Sequence, residues 1–279
     1  MIDPLATVTD QASPVQSVEQ RKLICQMSRF PVQETFVDKT GIEEAVEWLM
    51  LDRASYEERL AERWDKGSVI ALDPKQSNQA AADLILMVAT REGRHCVRAW
   101  EGNARIKTVF VEYRSVASLQ PGEYRWLDPN HLVMRSACKG EMVRLCLQAL
   151  GDYNATYDYA AFIDDDVTLS AADLLEAADL ALQNEITAFQ LRLKDPNQSV
   201  WGNLLTAPAE RCWQHVGFVE MMAPVLHQST LKIAAIALTN SYSGFGCDYY
   251  LTPILQLLQP RFTGLLNSCE VCVFLLEML

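Results

Sequence analysis

The chain has 279 residues, 49% of them hydrophobic and 22% charged, with a formal net charge of −12. That length carries one large domain or two small ones with a sizeable core, and the composition is that of a globular protein. The negative balance excludes a protein that binds nucleic acid or an anionic membrane through its overall field. A phosphorylated ligand then needs a local cation, from Lys, Arg or a metal.

The N-terminal "MIDPLATVTDQASPVQSVEQ" lacks the basic and apolar regions of a leader peptide, and residues 1–20 are expected to form a mobile tail. Residues 21–80 are expected to form a helical N-terminal extension. Within it, "GIEEAVEWLMLDRASYEERLAERWDKG" places Val46, Leu49, Met50, Leu60 and Trp64 on apolar helical faces and ends on Gly67. Those helices offer a surface for packing or for homo-oligomerisation. No apolar run reaches the roughly 18 residues of a membrane span, so no transmembrane segment is expected. The eight cysteines include one C-x-x-C, Cys269 and Cys272, without a second pair at zinc spacing, which fits reduced thiols in a cytoplasmic protein.

From residue 81 to 279 the rhythm is that of an α/β domain. "DLILMVA" (83–89), "TVFVEY" (108–113), "YAAFI" (159–163) and "TAFQLRL" (187–193) have the length and composition of buried strands. "KGEMVRLCLQAL" (139–150) has helical spacing with Gly151 suited to its C-cap, and "SAADLLEAADLALQNE" starts a helix at Ser170 with Asp173 completing a capping box. Strands apolar on both sides alternating with helices predict a largely parallel sheet flanked by helices.

The strand "YAAFI" runs into Asp164, Asp165 and Asp166. Ser170 already caps the next helix, so the aspartates lie free at the carboxyl end of a strand, where open α/β sheets bind ligands. If the segment stays extended, Asp164 and Asp166 share one side and Asp165 faces away. Paired carboxylates raise each other's pKa unless a cation sits between them, and Mg²⁺ or Mn²⁺ suits oxygen ligands while leaving sites for phosphate. An acidic surface turn accounts for the same three residues without a ligand.

An apolar strand followed by D-x-D occurs in glycosyltransferases of the GT-A fold and, as D-x-D-x-T, in haloacid-dehalogenase-type phosphatases. "DDDVT", with Asp164, Asp166 and Thr168, satisfies both. The later acid pair of the phosphatases is missing, and at least two strands precede this one. Downstream, "SYSGFGCDYYL" brackets Phe245 with Gly244 and Gly246 and follows with Asp248. The glycines allow backbone to approach a bulky substrate, and a tight turn with Asp248 as a helix cap explains the same residues.

In order, "LILMVA", Trp100, "VEYRS", "KGEMVRLCL", "FIDDDV", "FVEMMAPVL" and "SGFGCDYYL" resemble a bacterial and plant group of glycosyltransferase-like proteins, catalogued mainly as a domain of unknown function. The resemblance covers roughly residues 83–262. It implies a GT-A-like, Rossmann-like domain, a nucleotide-sugar donor, and a glycan or small molecule with an acceptor hydroxyl. By that analogy Asp164 and Asp166 are the metal and diphosphate carboxylates, and Asp165 faces the donor's ribose or sugar. Glu220 and Asp248 lie toward the acceptor as candidate bases, with Gly244, Phe245 and Gly246 beside it. Lys139 is a candidate phosphate contact or a solvent-facing lysine at a helix start. The chain departs from the pattern in having no His after His227 to serve as a third metal ligand, and His215 and His227 read as surface or packing residues. The expected activity is metal-dependent glycosyl transfer, inverting where Asp248 or Glu220 acts as base and retaining where Asp248 only binds the acceptor. The alternatives are phosphoryl transfer with Asp164 as nucleophile, or a catalytically degenerate protein that binds a nucleotide sugar.

Overall fold

The computed structural model describes residues 81–90, 103–113, 118–153, 155–192 and 219–238 with their side chains. It adds a few residues between 47 and 58 and the backbone alone of 69–70, 193, 213–215, 239 and 263–273. Most of the expected N-terminal helices, and the whole Gly244–Asp248 segment, lie outside the described residues.

The centre of the domain is β2 (Leu84–Thr90), buried along its whole length. Its side chains alternate between two cores: Ile85, Met87 and Ala89 on one face, Leu84, Leu86 and Val88 on the other. A strand apolar at every position can only be satisfied between two layers. β3 (Ile106–Glu112) and β6 (Tyr159–Ile163) pair with it in parallel on either side. Beyond β3 come β5 (His131–Met134), parallel, and then the antiparallel edge strand β4 (Tyr124–Asp128).

On the other side of β6, the order continues through β10 (Val225–His227), β8 (Ala188–Leu193), β11 (Thr263–Val273), β9 (Trp213–His215) and β1 (Val69–Ile70). A short β7 (Val167–Thr168) pairs with β11 away from this path. β10 runs against both of its neighbours, β6 and β8, while β8 and β11 are parallel. The sheet is therefore mixed and largely parallel: among the described residues, only β4, β7, β9 and β10 oppose the common direction. β1 falls in the stretch assigned from the sequence to a helical extension, yet it joins the sheet through Trp213 and Gln214.

Three helices cover the faces. α1 (Lys139–Gly151) and α3 (Leu231–Thr239) pack together on the Ile85 side, with Val143, Leu147 and Ala234 in the core. α2 (Ala171–Gln183) covers the other side through Leu174, Ala177, Ala178 and Ala181. Gly151 is the last residue of α1 and not its left-handed cap. Asp152 ends the helix in a right-handed conformation, its N–H donating to Ala149 O. No described helix is long and apolar enough to cross a membrane.

Ser170 caps α2 as expected, its Oγ accepting the Asp173 N–H at 3.3 Å. Loss of that bond in Ser170→Ala should cost about 1 kcal/mol in urea denaturation. Leu174→Ala, which empties a fully buried position one turn into the helix, should cost roughly 3 kcal/mol.

Candidate functional site

Both β3 and β6 pair with β2, but the chain passes from β2 through β3 to β5 on one side and returns to β6 on the other. Such a reversal opens a crevice at the carboxyl ends of the central strands. Here the crevice is a cavity of about 200 Å³ between Ala89 at the end of β2, Tyr113 after β3, the Ser136–Lys139 stretch entering α1, and all three aspartates after β6. That volume is below the range of whole drug-sized ligands and suits a smaller charged group.

The aspartates do not continue the strand. Val167 N–H donates to Asp164 C=O at 3.2 Å, closing a turn over Asp165 and Asp166, and Val167–Thr168 then pairs with β11. The alternation inferred for an extended chain therefore fails: Asp165 lines the cavity together with Asp164 and Asp166. Two backbone bonds fix the approach to the turn, Phe162 N–H to Pro224 O at 3.0 Å and Asp164 N–H to Met222 O at 3.1 Å. The 219–224 segment thus lies along the end of β6, bringing Glu220 into the neighbourhood. Glu220 is anchored by its backbone N–H, which donates to Gln190 Oε1 on β8, and it does not line the cavity among the described residues.

Lys139 lines the same cavity with its ammonium ion-paired to Asp164 Oδ2, so it is not a free solvent-facing lysine. The Asp164 side chain is only 24% exposed. Burial pushes its carboxyl up to about 6, against the pull of Lys139, and Asp166 and Asp165 push further the same way. Asp166 is also raised, first by burial and then by Asp165. One lysine does not compensate this turn. Raising the Asp164 pKa by about two units means that the ionised turn is destabilised by roughly 3 kcal/mol above pH 6, an amount a bound cation would relieve.

Across the cavity stands the N-terminus of α1. Its N-cap, Cys138, makes no side-chain cap bond, and Glu141 Oε2 instead accepts the Ala137 N–H at 2.6 Å. The first-turn N–H groups have no carbonyl partners within a helix and carry partial positive charge. Beside them the Ser136 hydroxyl is buried without a hydrogen-bond partner. A buried, unpartnered hydroxyl costs on the order of 1–3 kcal/mol unless a ligand completes it. The sequence offered a signal for Ser136, a hydroxyl residue just ahead of a helix, but the N-cap position itself went to Cys138.

The donor set fits a hard divalent ion held by one or two carboxylates, with phosphate oxygens and water completing it. The protein does not enclose such an ion by itself: among the described residues no group of three or more His, Cys, Asp or Glu is arranged to hold a metal. His227 is buried away from the cavity as a packing residue, its ring edge-on to Tyr159 at 5.1 Å and its Nδ1 2.8 Å from Ser229 Oγ. The Ser229 N–H also donates to Nδ1. The side chain of His215 lies outside the described residues, as do Gly244, Phe245, Gly246 and Asp248. No protein-family model and no curated protein sequence matches the chain.

Burial lowers the His227 pKa to about 4, so native His227 is neutral at pH values where the unfolded residue is already charged. Its contribution is full above pH 6.5 and is lost as pH falls toward 4, by roughly 3 kcal/mol. Urea denaturation of wild type and His227→Asn at pH 7 and pH 4.5 should show a smaller loss of stability on acidification in the variant.

Proposed function

We propose that the protein is a metal-dependent glycosyltransferase of GT-A-like fold, moving a sugar from a nucleotide-sugar donor to an acceptor hydroxyl with inversion. The observation that carries this reading is the facing of three carboxylates, on a turn at the end of a central strand, by a helix N-terminus with the unpartnered Ser136 hydroxyl. Carboxylates on one wall and anion-binding groups on the other form a site for a cation and a phosphate group together. A haloacid-dehalogenase-type phosphatase would carry a later acid pair, which the sequence does not supply.

Asp166 and Asp164 hold Mn²⁺ or Mg²⁺, which when bound supplies positive charge against the leaving nucleoside diphosphate. The first-turn N–H groups of α1 and Ser136 Oγ donate to phosphate oxygens, work that an acidic chain assigns to local dipoles. Asp165, placed on the same wall by the turn, contacts the ribose or sugar hydroxyls. Lys139 holds Asp164 in place while the site is free of metal. The acceptor hydroxyl gives its proton to a carboxylate. Asp248 is assigned this role by its place in the chain, and Glu220 is the second candidate, since its segment is bonded to the end of β6. A base within direct reach of the hydroxyl oxygen is what inversion requires.

Thermal unfolding with UDP, GDP, CMP or ADP, each with and without Mn²⁺, tests the donor site. One diphosphate should stabilise the protein only with metal, by about 2.7 kcal/mol at a hundredfold excess over Kd, which is several degrees in Tm. Asp166→Asn should lose the shift. A chain that no nucleotide stabilises, but that beryllium fluoride does, would be a phosphatase and would end the transferase reading. Stabilisation by a nucleotide without metal and without donor turnover would mark a binding protein.

A further inference from the structure

A second cleft lies at the opposite end of α1. It has a volume of about 440 Å³ and is bounded by Lys107 on β3, the β4–β5 turn with Trp126, Leu127 and Asp128, and Asp152 and Tyr153 where α1 ends. α1 has 13 residues and spans about 20 Å, so this cleft is separate from the carboxylate cavity. The size falls within the range of small-ligand sites.

Its walls are aromatic and fixed. The Trp126 and Tyr153 rings lie 5.0 Å apart at 31°, and Tyr153 Oη donates to Pro129 O at 3.2 Å. Lys107 Nζ sits 4.8 Å from the Tyr153 ring centroid. Asp128 is held by Asn130 N–H and by the His131 ring, and Asp152 by the Tyr124 hydroxyl, so both carboxylates are oriented in advance. The turn is an edge hairpin, which a packing role alone would leave polar. Instead Leu127 is 59% exposed, the one exposed large hydrophobic side chain among the described residues. The Trp126 indole N–H is buried with no acceptor. An exposed apolar residue beside an aromatic pair in one concave place is unfavourable for the free protein and favourable for a complex.

We infer that this cleft binds a neutral sugar ring, as one unit of an oligosaccharide. A pyranose presents an apolar C–H face that packs on Trp126, Tyr153 and Leu127, and hydroxyls around its edge. Those hydroxyls accept from Lys107 and donate to Asp128 and Asp152. A nucleotide's base would also stack, but the nucleotide's phosphates would meet two carboxylates against one ammonium in a chain of net charge −12. The inference stands on the cleft alone and does not require the transferase reading.

The test is two-dimensional ¹H–¹⁵N NMR of the six tryptophan indole groups, without metal or nucleotide. Trp126 is identified by the resonance lost in Trp126→Phe. Cellotetraose, maltotetraose, xylotetraose and chitotetraose are titrated to about 10 mM, where even millimolar affinity saturates. At least one should move the Trp126 resonance along a saturating curve. Leu127→Asp, a change at an exposed position, should weaken that binding about tenfold while leaving the other indole resonances in place. The inference is overturned if no tetrasaccharide moves the Trp126 resonance, or if Leu127→Asp leaves the curve unchanged. It is equally overturned if phenol moves the resonance and the sugars do not, since the cleft would then be an apolar docking surface.

Discussion

The ion pair between Lys139 and Asp164 is the point at which the sheet, α1 and the cavity meet. β6 is buried on both faces, so the residue that ends it is delivered into a region where a carboxylate is poorly solvated. Asp164 remains tenable there because α1 begins with a lysine directly opposite. The turn then adds two more carboxylates and no further cation among the described residues. The fold thus assembles more negative charge than it neutralises, at a place where its backbone is firmly held by Met222, Pro224 and β11. Structural acidic turns relieve such charge by facing water. This one closes over a cavity whose other wall is a helix N-terminus.

The segments readable from the sequence are those whose environment is set by their own pattern. β2, β3, β6 and β8 are short apolar runs in the middle of a sheet, and α1 and α2 have a stripe of apolar residues and, in α2, a local cap. Each element carries its signal within about a dozen residues. What escaped reading was set by partners distant in sequence. β10 is three residues long and becomes a strand because β6 and β8 leave a gap that an antiparallel segment fills. The β4–β5 hairpin alternates weakly because it lies at the sheet edge, although Pro129–Asn130 marked its turn. α3 is buried on several sides, so "LKIAAIAL" shows no amphipathic stripe and reads only as core.

The candidate site was legible in composition and not in geometry. Three aspartates after a buried strand sufficed to locate the carboxyl end of β6 as the place to look. Their orientation did not follow, because the extended alternation that set Asp165 apart holds only where the strand continues, and a turn intervenes. The role of Lys139 was equally out of reach, since its partner is 25 residues away and the pairing depends on how α1 crosses the sheet. Ser136 illustrates a third kind of failure. A serine before a helix normally satisfies the helix, and only the structure reveals that Glu141 has taken over part of that work and left the hydroxyl unpaired.

The two ends of α1 have opposite electrostatic character, and this separates the chemistry each can support. The N-terminus adds partial positive charge to a cavity lined by carboxylates, which suits a ligand that brings both a cation and anionic oxygens. The C-terminus has no basic residue in the last turn and ends in Asp152. With Asp128 and Asp152 beside it, that end disfavours anions in the aromatic cleft. A single helix packed across the β2–β3–β5 side of the sheet therefore sets the two cavities at its two ends, about 20 Å apart. Because both ends are fixed to the same rigid element, a ligand long enough to touch both would be held in one register, with its far end addressed to the carboxylate turn.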